Sequence, residues 1–206
     1  MSEDLVFYTN PMSRGRIVRW MLEEVGRPYR AEILNYGPEM KSPAYLAINP
    51  MGKVPALVHG KTVVTEAAAI CAYLADAFPE AGLAPPTHDR GAYYRWLFYA
   101  AGPLEQAWTN KSFGFELPQD GGRRAGYGSF EQVLDCLEAA LAGRDYVAGE
   151  RFSAADVYLS GQLGFGLRFG MIDERSQFVR YVGLHANRPA RLRADQIDEP
   201  ASAPQA

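Results

Sequence analysis

The chain of 206 residues is 48% hydrophobic and 12% aromatic, which disfavours a disordered or fibrous protein and allows a sizeable core. Its formal net charge of −3 at pH 7 does not favour binding to nucleic acid or to an anionic membrane surface, so neither is expected as a partner. No apolar stretch reaches membrane-spanning length, and the start "MSEDLVFYTN" lacks the features of a signal peptide, so we expect a cytoplasmic protein. Cys71 and Cys136 fall within helical patterns without CxxC spacing, which disfavours a disulfide scaffold, a metal site or a redox dithiol.

The first eighty residues alternate between strand and helix patterns. A short apolar run predicts the first strand, and apolar residues at helical spacing predict the helix after it. Two later runs separated by "HGK" are typical of a β-hairpin, and Thr65 stands where it can cap the next helix. In chain order the predicted elements are a strand over 5–8, a helix over 14–25, a strand over 29–34, a short helix over 42–48, a hairpin of "VPALV" and "TVV", and a helix over 66–77.

Strand patterns disappear after about residue 89. Only helical patterns follow, and the last dozen residues, "DQIDEPASAPQA", have the composition of an unstructured tail. We therefore predict a small α/β domain over 1–79, a proline-containing linker over 80–88 and an all-helical domain over 89–206. Its predicted helices cover 89–111, 124–142, 154–166 and 174–187.

The segment "RFSAAD" (151–156) predicts the start of a buried helix. Ser153 stands at the N-cap, Asp156 three residues later, and Phe152 at the position of a hydrophobic staple. A catalytic role for the Asp156 carboxylate is the alternative. Because acids near helix starts commonly cap them, we assign Asp156 to folding.

A small hydroxyl, Ser13, lies in "NPMSRGR" between the first strand and the first helix. A serine hydroxyl can donate one hydrogen bond to an anion above a helix N-terminus. A purely structural role for Ser13, as the N-cap of that helix, stays open, and both roles can belong to one residue.

Two further segments are expected at the same edge of the sheet. In "NPMGKVPAL" a proline, Pro55, stands at the start of a strand, where it removes a backbone donor. A cis Val54–Pro55 bond would explain it, because it turns the backbone of Val54 outward to pair with a peptide-like ligand. "TEAAAI" opens a helix whose free N–H groups at 66–68 form an anion site.

In their order and spacing, "NPMSRGR", "NPMGKVPAL" and "RFSAAD" resemble the bacterial, serine-type cytosolic glutathione S-transferases over nearly the whole chain. The resemblance implies a thioredoxin-like N-terminal domain of βαβαββα order joined to an all-α C-terminal domain. It also implies a homodimer, glutathione as co-substrate, and a detoxification activity that conjugates glutathione to small hydrophobic electrophiles.

The resemblance gives Ser13 the role of donating a hydrogen bond to the glutathione sulfur. Arg16, one helical step further on, would add positive potential at the thiolate. In the tyrosine-type classes of the family a phenol acts instead, but Asn10 holds that place here and Tyr8 comes too early.

The resemblance also assigns the rest of the glutathione site. Val54, before Pro55, would offer its backbone to the cysteinyl part, and Lys53 would lie near the glycyl carboxylate. Glu66 would meet the γ-glutamyl ammonium group. Ala67 departs from the usual Glu-Ser pair, so only its backbone N–H remains for the γ-glutamyl carboxylate.

Apolar and aromatic side chains are candidates for the electrophile pocket, although aromatic residues at helical spacing also commonly fill a core. A non-catalytic member of the family that binds ligands or proteins is the alternative function. A glutathione-dependent thiol reductase is disfavoured, because that chemistry needs a cysteine at the place of Ser13. The pocket candidates are Met12, Tyr99, Trp108 and Phe113.

Overall fold

The structure is a computed structural model that describes residues 4–118 and 120–202. The chain divides into two compact units. One contains the residues up to Leu83 together with those from Asn187 onward, and the other is Ala84–Ala186. We describe each unit by itself. None of the described helices is both long enough and apolar enough to span a membrane.

The first unit is built on a four-stranded mixed sheet of order β2-β1-β3-β4. β1 runs parallel to β2 and antiparallel to β3, and β3 and β4 form a hairpin. The predicted βαβαββα order and the thioredoxin-like fold are confirmed. The elements are β1 (Leu5–Thr9), α1 (Gly15–Val25), β2 (Arg30–Ile33), α2 (Pro43–Leu46), β3 (Ala56–His59), β4 (Thr62–Thr65) and α3 (Ala67–Ala77).

The core of this unit follows from the apolar periodicity of its elements. Every second residue of β1 is buried, as the alternation of side chains along a strand requires. Helix α1 buries a continuous apolar face, and α3 adds a second one. The large side chains that are fully buried include Phe7, Trp20, Met21, Leu22, Leu57, Ile70 and Leu74.

Thr65 does not cap α3, so that prediction was wrong. Thr65 is the last residue of β4 and stands opposite Ala56 in the sheet. The N-cap position belongs to Glu66, and the helix begins at Ala67. Thr65 belongs to β4 because it pairs with β3. The sequence pattern around Thr65 does not reveal this pairing and therefore assigned the residue to the helix start.

The second unit is helical, as predicted. Its first long segment is divided by a π-helical turn at Ala100–Leu104, which separates α4 (Gly91–Tyr99) from α5 (Glu105–Ser112). The predicted helix over 124–142 starts later, because Ser129 and Gln132 form a capping box that fixes the start of α6 at Phe130. The helices are α4 (Gly91–Tyr99), α5 (Glu105–Ser112), α6 (Phe130–Leu141), α7 (Ala154–Arg168) and α8 (Ser176–Ala186).

The predicted capping box of α7 is confirmed. The Asp156 carboxylate accepts hydrogen bonds from the Ser153 backbone N–H at 2.9 Å and from the Val147 N–H at 2.7 Å. The Ser153 hydroxyl and the Tyr181 hydroxyl donate to it as well. Burial raises the pKa of Asp156 despite these donors. The carboxylate joins three separate segments of the unit and serves the fold.

The expected unstructured tail is a helix, so that prediction was wrong for the described residues 195–202. Helix α9 (Pro189–Ser202) packs against α1, and residues 203–206 lie outside the described residues. Arg19 of α1 donates to Asp198 at 2.6 Å inside this contact, and Arg188 donates to Glu24. The segment from Asn187 therefore belongs with the first unit, whereas the sequence boundary put it in the helical domain.

Candidate functional site

The register of the sheet brings the three predicted segments to one edge. Tyr8, near the end of β1, stands opposite Ala56 at the start of β3, and Ala56 stands opposite Thr65 at the end of β4. The turn after β1, the Val54 segment before β3 and the start of α3 after β4 consequently lie side by side. This edge is the candidate functional site.

Ser13 closes the turn between β1 and α1. Its hydroxyl donates to the backbone carbonyl of Asn10 at 2.6 Å and accepts the N–H of Gly15, the first residue of α1, at 2.9 Å. The N-cap position itself is Arg14, whose side chain makes no capping hydrogen bond. Ser13 thus supports the helix start and is itself only partly buried.

Gly15 is required by a close approach that the sequence analysis missed. A Cβ atom there would collide with the Thr9 hydroxyl oxygen and lie 2.9 Å from the Ser13 oxygen. The Thr9 hydroxyl is buried and has no hydrogen-bond partner among the described residues. Gly15 in "SRGR" therefore leaves the space that the Thr9 and Ser13 hydroxyls occupy.

Tyr8 is a strand residue, as predicted. Its ring lies 5.6 Å from that of Tyr45 and packs on a small apolar cluster with Met40 and Ala56. The turn after β1 begins at Asn10 and carries no phenol. Ser13 is consequently the hydroxyl that the turn itself supplies.

Arg16 has a partner that the sequence analysis did not foresee. Its guanidinium donates to Asp195 of α9 at 2.9 Å, and Asp195 also accepts from Arg191 at 2.8 Å. The positive potential of Arg16 near the start of α1 is therefore partly balanced by a carboxylate 179 residues further along the chain.

The Val54–Pro55 peptide bond is cis, as predicted. Among the described residues, no hydrogen bond engages the backbone N–H or carbonyl of Val54. The preceding carbonyl, that of Lys53, accepts from the Tyr45 hydroxyl at 2.6 Å and from the Asn49 side chain at 2.7 Å. The Lys53 side chain is exposed. The Lys53 carbonyl is therefore held by two donors, whereas the Val54 backbone N–H and carbonyl have no hydrogen-bond partner among the described residues.

The N-terminus of α3 is open in the same way. Glu66 at the N-cap makes no side-chain capping hydrogen bond, and its φ of 67° is the one positive φ at a non-glycine residue in the described part of the chain. Such a conformation is unfavourable for a residue with a Cβ and is often found at functional sites. The first-turn N–H groups, including that of the buried Ala67, have no partner within the helix.

The electrophile candidates differ in exposure. Met12 projects from the turn of the first unit and is 60% exposed, and Phe113 of the second unit is exposed as well. Tyr99 donates its hydroxyl to the Val133 carbonyl, and Trp108 is fully buried. Trp108 therefore lies in the interior of the second unit, whereas Tyr99 is half-buried.

The described residues contain no group of three or more His, Cys, Asp or Glu side chains that could hold a metal ion. Both cysteines are free thiols. Cys71 lies inside the core of the first unit, where burial raises the pKa of its thiol, so it is not a nucleophile of the site edge.

A thioredoxin-like unit with an unpaired Val54 backbone and a helix start without a side-chain cap, joined to a helical unit, defines a two-unit class of thioredoxin-like proteins. Residues 12–77 match the family described as glutathione S-transferase, N-terminal domain, and residues 98–168 match glutathione S-transferase, C-terminal domain. The chain belongs to the glutathione S-transferase family.

Individual relatives agree with this assignment. The maleylacetoacetate isomerase of Pseudomonas aeruginosa is 31% identical over 89% of this chain and 91% of its own length. Glutathione S-transferase GstA of Escherichia coli O157:H7 is 35% identical over 56% of this chain and 58% of its own length. A sphingomonad glutathione S-transferase, solved as a complex with glutathione, superposes with a TM-score of 0.75 at 29% identity, covering 94% of this chain and 98% of that one.

Proposed function

We propose that this protein is a glutathione transferase, which activates the thiol of glutathione and conjugates it to small hydrophobic electrophiles. The observation that carries the proposal is the sheet register, which brings the Ser13 turn, the unpaired Val54 backbone and the open start of α3 to one edge. The sphingomonad relative, which was solved as a complex with glutathione, supports the choice of glutathione as the ligand. A detoxification role, a cytoplasmic location and a homodimer are part of the same proposal.

The tripeptide is proposed to lie along this edge with each polar group matched. The backbone N–H and carbonyl of Val54, before Pro55, pair with the cysteinyl residue as a short β-bridge. The N–H groups at Ala67 receive the γ-glutamyl carboxylate, and Glu66 meets the ammonium group. The exposed Lys53 ammonium is within the segment that would face the glycyl carboxylate.

Ser13 is proposed to stabilise the thiolate. A free thiol has a pKa near 8.5, and a hydrogen bond to the thiolate together with the positive end of α1 lowers it toward neutrality. The Ser13 hydroxyl must then give up the Asn10 carbonyl and donate to sulfur instead. Because Asp195 balances Arg16, we propose that Arg16 contributes less to the thiolate than its charge alone suggests.

The electrophile is proposed to contact exposed apolar side chains. In the first unit the candidate is Met12, which is exposed on the turn that carries Ser13. The candidates of the second unit are the exposed Phe113, the half-buried Tyr99 and the buried Trp108. The thiolate then attacks the electrophile, and its bound position raises the effective concentration of the two reactants.

A non-catalytic ligand-binding function is the second candidate, and Ala67 is the residue that favours it. Without a hydroxyl at this position one hydrogen bond to the γ-glutamyl carboxylate is missing. Glutathione bound without any depression of its thiol pKa would support this second candidate over the first.

The Ser13→Ala variant tests the catalytic proposal. Loss of a hydrogen bond to a charged sulfur should raise the pKa of the bound thiol by roughly one to two units and slow conjugation near neutral pH. The affinity for glutathione should change little. Tyr8→Phe is the matched control and should leave the thiol pKa unchanged. If Ser13→Ala keeps the wild-type rate while Tyr8→Phe loses it, the assignment to Ser13 is wrong.

A further inference from the structure

The tripeptide Asn-Pro-Met occurs twice, at residues 10–12 and 49–51, and forms the same turn both times. In each copy the asparagine Oδ1 accepts the methionine N–H two residues later, at 2.9 Å in the first and 3.1 Å in the second. In each copy the asparagine carbonyl accepts the N–H three residues later, from Ser13 at 3.0 Å and from Gly52 at 2.8 Å. These are asparagine-initiated β-turns with proline at the second position.

The two turns are also anchored alike. The Asn10 Nδ2 donates to the Leu34 carbonyl at 2.8 Å, and the Asn49 Nδ2 donates to the Lys53 carbonyl at 2.7 Å. The asparagines are only 8% and 5% exposed. Each buried amide therefore ties its turn to a neighbouring carbonyl.

Side chains from the segment between β2 and α2 hold the outer side of both turns. The Tyr36 hydroxyl donates to the Met12 carbonyl at 3.2 Å, and the Lys41 ammonium donates to the Met51 carbonyl at 3.0 Å. Both methionine side chains remain exposed. The connection after β2 thus braces the two halves of the site edge together.

The turns differ in the residue that follows the methionine. In the first turn this is Ser13, whose hydroxyl donates back to the Asn10 carbonyl. In the second it is Gly52, with a φ of 57°, where a Cβ would lie 2.6 Å from the Met40 carbonyl oxygen. One turn therefore ends in a hydroxyl, and the other leads directly into the Lys53–Val54 peptide.

The orientation of that peptide is determined by its carbonyl. The carbonyl of Lys53 and the N–H of Val54 belong to one planar peptide group and point in opposite directions. Two donors, Asn49 Nδ2 and the Tyr45 hydroxyl, hold the carbonyl and so fix the direction of the Val54 N–H. Asn10 acts on Ser13 through the turn, because its side chain accepts the Met12 N–H and donates to the Leu34 carbonyl and so holds the turn that carries the Ser13 hydroxyl.

We propose that the two buried asparagines are positioning residues with separate tasks, an inference that rests on the function proposed above. Asn10 directs the Ser13 hydroxyl and thereby sets the pKa of the bound thiol. Asn49 directs the Val54 backbone and thereby sets the affinity for the peptide backbone of glutathione.

Asn10→Ala and Asn49→Ala are the matched pair that tests this division. Two observables are needed: the pKa of bound glutathione, from ultraviolet titration of the thiolate, and calorimetric dissociation constants for glutathione and for S-methylglutathione, which has no ionisable thiol. Asn10→Ala should raise the thiol pKa by roughly half to one unit and change the S-methylglutathione dissociation constant less than about twofold. Asn49→Ala should weaken both ligands by about five- to tenfold and leave the pKa unchanged.

A double-mutant cycle tests whether Asn10 works through Ser13. In the Ser13→Ala background, Asn10→Ala should cause no further shift of the thiol pKa, which a purely structural loosening of the turn would not predict. Asn10→Ser is the second variant. Its hydroxyl oxygen can still accept the Met12 N–H, it adds no charge and it loses the donor to Leu34, so it should give a smaller shift of the same sign and serves if Asn10→Ala does not fold.

Two results overturn the division of tasks. One is that Asn10→Ala and Asn49→Ala change the thiol pKa and the dissociation constants equally. The other is that Asn10→Ala still causes its full pKa shift in the Ser13→Ala background. The wild-type protein tests the proposed function separately. If it binds no glutathione, or binds it with an unperturbed thiol pKa, the proposed catalytic function fails on its own measurement.

Discussion

The starts of helices α7 and α3 are opposite solutions to the same problem. Any helix begins with backbone N–H groups that have no partner within the helix. At α7 Ser153 and Asp156 form a capping box at the helix start, and Tyr181 completes a buried cluster. At α3 the N-cap residue, Glu66, is exposed, makes no capping hydrogen bond and has a left-handed backbone.

The difference separates a helix start that stabilises the fold from one that we propose receives the ligand. The carboxylate of Asp156 occupies the positive end of α7 permanently, so that end has no further capacity for an anion. The end of α3 keeps its dipole and its donors available, at the cost of an unfavourable φ at Glu66. Substitutions at the first should therefore change stability, and substitutions at the second should change binding.

The largest effect is expected for Asp156→Ala. It leaves buried donors at Ser153, Val147 and Tyr181 without an acceptor, each worth about 1–3 kcal/mol. We expect the free energy of unfolding to fall by at least about 3 kcal/mol in urea denaturation, with the glutathione affinity of the folded protein unchanged. Asp156→Asn keeps the volume and one acceptor oxygen and should lose less. A loss below about 1 kcal/mol for the alanine variant would contradict the structural role.

Glu66 should show the reverse behaviour. Glu66→Ala and Glu66→Gly both remove the carboxylate and should weaken glutathione binding by roughly ten- to hundredfold, because a hydrogen bond to a charged group is lost. Only glycine accepts the positive φ without strain, so Glu66→Gly should be more stable than Glu66→Ala by about 1 kcal/mol. Thermal or urea denaturation of the two variants measures this difference. Equal stabilities would mean that the Glu66 backbone is not strained.

The smallest effect is expected for Ala67→Ser. It adds a hydroxyl donor in the first turn of α3, where serine is well tolerated, and should lower the dissociation constant for glutathione by up to roughly tenfold. The sulfur pKa should not change. Ala69→Ser, the same substitution at an exposed position of the same helix, is the control and should leave binding unaltered. Isothermal titration that finds unchanged or weaker binding for Ala67→Ser would place the γ-glutamyl carboxylate elsewhere.

Local patterns were sufficient for much of this molecule. The order of strands and helices in the first unit, the capping box of α7 and the cis bond before Pro55 all follow from residues within a few positions of one another. The sequence also contains a further signal of the site, the repeated Asn-Pro-Met tripeptide, whose two copies form matching turns at the site edge.

Contacts between distant segments were decided only by the tertiary structure. The polar composition of residues 195–202 has no strong apolar period, yet they form a helix because their charges find partners on α1, among them Arg19 and Arg16. Thr65 likewise joined a strand because of its partner in β3. The sequence by itself determined the hydrogen bonds that close within one turn, since their donors and acceptors are neighbours in the chain. Ion pairs such as Arg19–Asp198, 179 positions apart, exist only once the fold has brought the two helices together.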